Sequence, residues 1–176
     1  QTRDKTAVST EQMINLCLEL KKEFDYILID CPAGIEQGFK NAVSCADRAL
    51  IVTTPEVSAV RDADRITGLL EELNKPRPQL IVNRLKPEMA ARGEMMNVQD
   101  IQDILYLELI GIVPEDENII VTTNRGDLAI LKEQSDAGKA YGNIAKRIAG
   151  EQVPFLQLKR KQSILETLKK IIGLGH

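Results

Sequence analysis

Asp30 closes a continuous apolar run, Tyr26-Ile27-Leu28-Ile29, and opens the stretch Cys31-Pro32-Ala33-Gly34. A carboxylate at the carboxyl edge of a buried strand can orient a water on Mg²⁺ held between nucleotide phosphates. Gly34 follows where a backbone N–H can approach a terminal phosphate with no Cβ in the way. An ordinary Asp capping a turn starts the same way, and the attached Pro-Ala-Gly is what sharpens the pattern. Asn83 closes another run, Leu80-Ile81-Val82, with Arg84 beside it. A side-chain amide there can donate to and accept from an adenine edge, or it can simply cap a turn. Pro114, Glu115 and Asp116 close a further run, Leu109 to Val113, and Pro114 would also serve to end a strand.

These residues share a position, just after a short β-branched-rich run. Four such runs, 26–30, 49–53, 80–83 and 109–113, lack polar alternation and read as strands buried on both faces. Helical spacing fills the gaps. Met13, Leu16, Cys17 and Leu20 precede the first run, and Val60, Ile66, Leu69, Leu70 and Leu73 lie between the second and third. Ile101, Ile104, Leu105 and Leu107 precede the fourth, and a last helix starts after Ser135 with Ala137, Ala140, Tyr141, Ile144, Ala145 and Ile148 inward. Strand–helix alternation with right-handed crossovers predicts an α/β fold with a doubly wound, mostly parallel sheet. Ligands of that class bind where the strands' carboxyl ends meet their loops.

The chain has 176 residues, enough for one domain with a sizeable core. Aromatic residues are only 3% and tryptophan is absent, which argues against base stacking on an aromatic platform. From Pro154 to the end there are five Lys/Arg and one acid, +4, which leaves 18 basic and 25 acidic groups, −7, for the rest. An acidic body speaks against nonspecific DNA binding, and a basic tail points to an anionic partner surface. Cys17, Cys31 and Cys45 form no CxxC pair and read as buried free thiols in a reducing compartment.

Asp-Cys-Pro-Ala-Gly-Ile-Glu at 30–36, the segment from Thr54 to Arg65, Val-Asn-Arg at 82–84 and Ile-Val-Pro-Glu-Asp at 112–116 occur in one order. In that order they resemble the MinD branch of the deviant-Walker ParA/MinD family of ATPases, as do Gln1 to Lys5. The resemblance implies a P-loop NTPase-like fold, ATP and Mg²⁺ as cofactors, a homodimer on ATP binding, and hydrolysis stimulated by a partner. It makes Asp30 the catalytic carboxylate that reaches Mg²⁺ through water, and Gly34, Asn83, Arg84, Pro114, Glu115 and Asp116 nucleotide-binding residues. Asn83 would read adenine, with 114–116 walling the other side of the base. Ser58, Arg61, Asp62 and Asp64 open a helix whose charges also suit a solvated, salt-bridged first turn. By the resemblance they form a surface for MinC- and MinE-type partners in division-septum placement.

The family's glycine-rich, two-lysine phosphate loop has no counterpart here. The Gly138-Lys139-Ala140 sequence has no following Ser/Thr for Mg²⁺ and sits within a helical pattern. The expectation is an ATPase domain incomplete at its amino-terminal side over 1–150, a fragment or truncated gene model that hydrolyses no ATP alone. A degenerate, non-enzymatic membrane module and a DNA-partitioning ATPase are the competing readings.

Residues 151–162 read as a linker and 163–176 as a tail. Ile164, Leu165, Leu168, Ile171 and Ile172 form one apolar stripe, with Lys169 and Lys170 beside it and Lys159-Arg160-Lys161 just before. Such a helix either docks on its own protein or lies in an anionic membrane surface. The terminal position, linker and charge favour the membrane, which places the protein in the cytoplasm, peripheral on the inner face of the cell membrane when ATP is bound. Burying five large aliphatics yields roughly 8–15 kcal/mol at most, and ordering ten residues costs on the order of 10–15 kcal/mol. One tail is therefore marginal, and two on a dimer would bind far better.

Overall fold

The computed structural model describes residues 8–31, 34–127 and 135–158. The chain divides into two compact units, Gln1–Leu50 with Arg65–Pro78, and Ile51–Asp64 with Gln79–His176.

In the first unit, helix α1 (Thr10–Leu20) starts at a reciprocal cap. The Ser9 hydroxyl accepts the Gln12 N–H at 3.2 Å, and the Gln12 carbonyl oxygen accepts the Ser9 N–H at 2.9 Å. Helix α2 (Gln37–Cys45) buries Phe39, Asn41, Ala42 and Val43. Asn41 ties the two together: its Oδ1 accepts from Thr10 Oγ1 at 2.7 Å and its Nδ2 donates to the Val8 carbonyl at 2.6 Å. The loop carrying Asp30 and Gly34 runs between these two helices. Of the predicted inward stripe on α1, Cys17 is buried, whereas Leu16 stays half exposed.

In the second unit, β1 (Leu50–Thr53), β2 (Gln79–Leu85) and β3 (Glu108–Pro114) form a sheet in the order β1-β2-β3, with β2 and β3 parallel. Leu80, Ile81, Val82, Ile110 and Val113 are buried, as runs covered on both faces require. β1 departs from that expectation, because Ile51 and Thr53 point inward while Val52 is 60% exposed. Helix α3 (Val57–Glu72) has its first half in this unit, with Val60 and Ala63 buried, whereas Thr67 and Leu70, buried in its second half, and Leu73 beyond its end belong to the first unit. The short α4 (Pro87–Ala91) and the capped α5 (Val98–Leu105) lead to β3, and α6 (Glu117–Arg125) follows it. Helix α7 (Asp136–Ile148) packs on β3 through Ala137, Ala140 and Ile144, while Tyr141 and Ala145 face solvent. The result is a parallel sheet with flanking helices, the fold class the strand–helix alternation predicts.

The run 26–30 departs from the expected strand. It is not a strand, although its composition, Tyr-Ile-Leu-Ile, resembles that of the runs that are. Tyr26 is 60% and Leu28 83% exposed. A β-run becomes a strand only when a neighbour completes its backbone ladder, and among the described residues none pairs with this one.

The part of the 151–162 segment that is described, 151–158, is tied back to α7 and β3. Arg147 Nε donates to the Val153 carbonyl at 2.9 Å, its Nη1 donates to the Ile110 carbonyl at 2.8 Å, and its guanidinium lies 4.2 Å from the Phe155 ring centre. Its Nη2 is buried without a partner among the described residues. The tail stripe, Ile164, Leu165, Leu168, Lys169, Lys170, Ile171 and Ile172, lies outside the described residues.

Candidate functional site

The predicted site residues fall in both units. In the first, Asp30 is exposed at the end of the extended 26–30 run. Its charge reaches its neighbour: burial and then the Asp30 carboxylate hold the Cys31 thiol above its ordinary value. Cys31 is exposed rather than buried, because the run before it is uncovered. Pro32 and Ala33 lie outside the described residues, and Gly34 has φ +97°. A Cβ on Gly34 would meet nothing within 4 Å, so the position needs glycine for its backbone conformation and not for space.

In the second unit, the ends of β2 and β3 bring Asn83, Arg84 and Glu115 together. The β2–β3 register shifts between Val82 and Leu85, where β3 advances only from Ile112 to Pro114. Arg84 occupies this irregularity with φ +58°, a left-handed conformation that costs roughly 1–2 kcal/mol outside glycine. Arg84 Nε donates to Glu115 Oε2 at 2.9 Å and Nη2 to Oε1 at 3.3 Å. The Arg84 hydrogen bond and charge hold the Glu115 carboxyl below its ordinary range, and the same bond raises the arginine. Asn83 Oδ1 accepts the Arg84 N–H at 2.9 Å, and the Glu115 N–H donates to the Leu85 carbonyl at 2.9 Å.

Pro114 is buried at the end of β3. Asp116 faces a different task from its neighbours. Its Oδ1 accepts from the Asn118 N–H at 2.9 Å and from Asn118 Nδ2 at 2.8 Å, which caps α6. Its Oδ2 accepts the Ser135 hydroxyl at 2.7 Å, and Ser135 Oγ in turn accepts the Gly138 N–H at 3.0 Å to cap α7. Burial opposes ionisation of Asp116, but these hydrogen bonds outweigh it and lower its pKa. Both of its oxygens are therefore engaged within the protein. Gly138 and Lys139 lie in the first turn of α7, with Lys139 3.6 Å from Asp136.

Ser58, Arg61, Asp62 and Asp64 lie on the exposed side of α3, with Val60 and Ala63 inward. Ser135 and Arg147 hold the scaffold through hydrogen bonds, and the sequence assigns neither of them a place in the site. Ser135 carried a usable signal, an N-cap residue one position before Asp136; an arginine gripping two carbonyls carries none.

The family profile described as cellulose biosynthesis protein BcsQ matches residues 1–117. Septum site-determining protein MinD of Synechocystis is 52% identical over 94% of the chain, which spans 62% of that relative. MinD of Bacillus subtilis is 49% identical over 99%, spanning 66% of the relative, and that of Helicobacter pylori 44% over 98%, spanning 67%. The profile match stops at the start of α6, whereas the MinD likeness runs through α7. This chain belongs to the MinD family. It spans about two thirds or slightly less of the length of the MinD relatives it matches. Among solved structures, the Aquifex aeolicus MinC:MinD cell division protein complex superposes with a TM-score of 0.82 at 48% identity, covering 85% of this chain and 63% of that one. MinD from Pyrococcus horikoshii complexed with Mg-ADP superposes with a TM-score of 0.70 at 26% identity, covering 79% and 56%. The MinD-family chain thus shares the P-loop NTPase-like fold of these relatives.

Proposed function

We propose that the protein is a MinD-type ATPase switch in division-septum placement, binding ATP with Mg²⁺ as a dimer and recruiting MinC- and MinE-type partners to an anionic membrane. The observation that carries this reading is 44–52% identity to septum site-determining MinD proteins over at least 94% of the chain. One structural relative is a MinC:MinD complex and another is a MinD complexed with Mg-ADP, which supports the partner and cofactor assignments.

The residues present suit the group. Asp30 offers an exposed carboxylate for a water on Mg²⁺, and Gly34 already holds the left-handed backbone that brings an N–H forward. Mg²⁺ would neutralise charge on the phosphates. Asn83 contacts the base, and Pro114 lines it. The exposed face at Ser58, Arg61, Asp62 and Asp64 receives the partners. The stripe from Ile164 to Ile172, with Lys169 and Lys170, attaches the dimer to the inner face of the cell membrane.

Light scattering on the full-length protein tests this reading. A dimer with a slowly hydrolysed ATP analogue and a monomer with ADP are expected; the same mass in both would overturn it.

A further inference from the structure

Between Val82 and Leu85, β2 advances by three residues while β3 advances by two, so β2 carries one extra residue. A bulge of this kind turns a side chain away from the direction that strand alternation would give it. Arg84 is the residue at positive φ, and its own N–H is taken by Asn83 Oδ1. With its carbonyl oxygen so engaged, Asn83 keeps its Nδ2 donors, which have no partner among the described residues. The side chain of Arg84 meanwhile crosses to the neighbouring strand's loop and grips both oxygens of Glu115. Glu115 is fixed in turn through its N–H to the Leu85 carbonyl, on the far side of the bulge. The extra residue is thus closed into a ring: Arg84 to Glu115, Glu115 to Leu85, and Leu85 back along the chain to Arg84.

We propose that Arg84 and Glu115 are positioning residues that never touch the nucleotide. Their fork holds the β2 bulge so that Asn83 presents N–H donors, and not its carbonyl, to a ring-nitrogen acceptor of the base. This deepens the nucleotide reading above and rests on it. It also separates residues that the family resemblance groups as ligands. Arg84 is at the site because a long, forked donor is needed to hold a backbone that an arginine does not favour. Glu115 is there to receive the fork.

The test compares Arg84→Gly with Arg84→Ala in the full-length protein, because only glycine adopts the positive φ without strain. Affinity for ATP is measured by calorimetry, with tripolyphosphate, which has no base, as the control ligand. Arg84→Ala should weaken ATP binding about tenfold and Arg84→Gly about threefold or less. Both should bind tripolyphosphate as the wild type does. Glu115→Gln, which keeps one acceptor, should fall between them. Equal losses in the glycine and alanine variants, or a matching loss for tripolyphosphate, would show that Arg84 is itself a ligand and overturn the proposal. Hydrogen exchange at the Glu115 amide, read without nucleotide, decides the fork independently. It should quicken more in Arg84→Ala than in Arg84→Gly, and an unchanged rate in both would also overturn the proposal. A wild-type protein that binds tripolyphosphate but no ATP would contradict the functional reading instead.

Discussion

Gly111 in β3 lies directly beneath Ile144 of α7, so close that a Cβ at this position would collide with Cγ1 and Cδ1 of the isoleucine. Ile81 Cγ1 would stand 3.5 Å from the same Cβ. The contact sets how deeply α7 sits on the sheet, and with it the place from which Arg147 reaches Ile110. Gly111→Ala should therefore cost about 1–3 kcal/mol through overpacking. The double variant Gly111→Ala/Ile144→Val should cost less than the sum of the two single changes. Denaturant titration reads both. A neutral Gly111→Ala would show that the close approach is not a packing constraint.

Asp116 and Ser135 form a second joint, between the starts of α6 and α7. Ser135→Ala removes an N-cap and a hydrogen bond together and should cost about 1–2 kcal/mol. Asp116→Ala should cost a similar amount, and the double variant less than the sum, because each change removes the same Ser135–Asp116 bond. The pH dependence has a definite sign. The folded Asp116 has a pKa below its ordinary 3.8, so its contribution is complete above that value and is lost as pH falls through the lower, folded one. Asp116→Asn should flatten the acid limb of the stability profile. An acid limb of unchanged depth would contradict the assignment.

The three thiols provide a test of the surroundings of Asp30. Burial, together with a hydrogen bond to Cys17, pushes the Cys45 thiol up to about 11. Its alkylation should be slow at neutral pH and rise about tenfold per pH unit toward that value. Cys31 is exposed and should react first at neutral pH. Since the Asp30 charge helps to raise the Cys31 thiol, Asp30→Asn should speed its alkylation. An unchanged Cys31 rate would separate the two side chains.

The apolar runs at 80–83 and 109–113 identified β2 and β3 because these strands are buried on both faces, where composition alone is a sufficient signal. The run at 26–30 has a similar composition but no paired strand among the described residues, and composition cannot report a missing ladder. Ser135 marked the start of α7 correctly, since a cap is a local property. Asn83, Arg84 and Glu115 were recognisable as strand-end residues, but their arrangement was not. A bulge and a positive φ at an arginine depend on a register set by residues about thirty positions away. The resemblance places Asp116 beside the base, and nothing in the sequence signals that its carboxylate also joins two helix starts.

The most direct test of the account is sedimentation of the full-length protein with anionic vesicles, in ATP and in ADP. Pelleting is expected in ATP, with little in ADP, and Leu168→Glu should lose the ATP-dependent pelleting with dimerisation intact. Equal pelleting in both nucleotides, or an isolated peptide of 163–176 that binds the vesicles as tightly as the ATP-bound dimer, would contradict it.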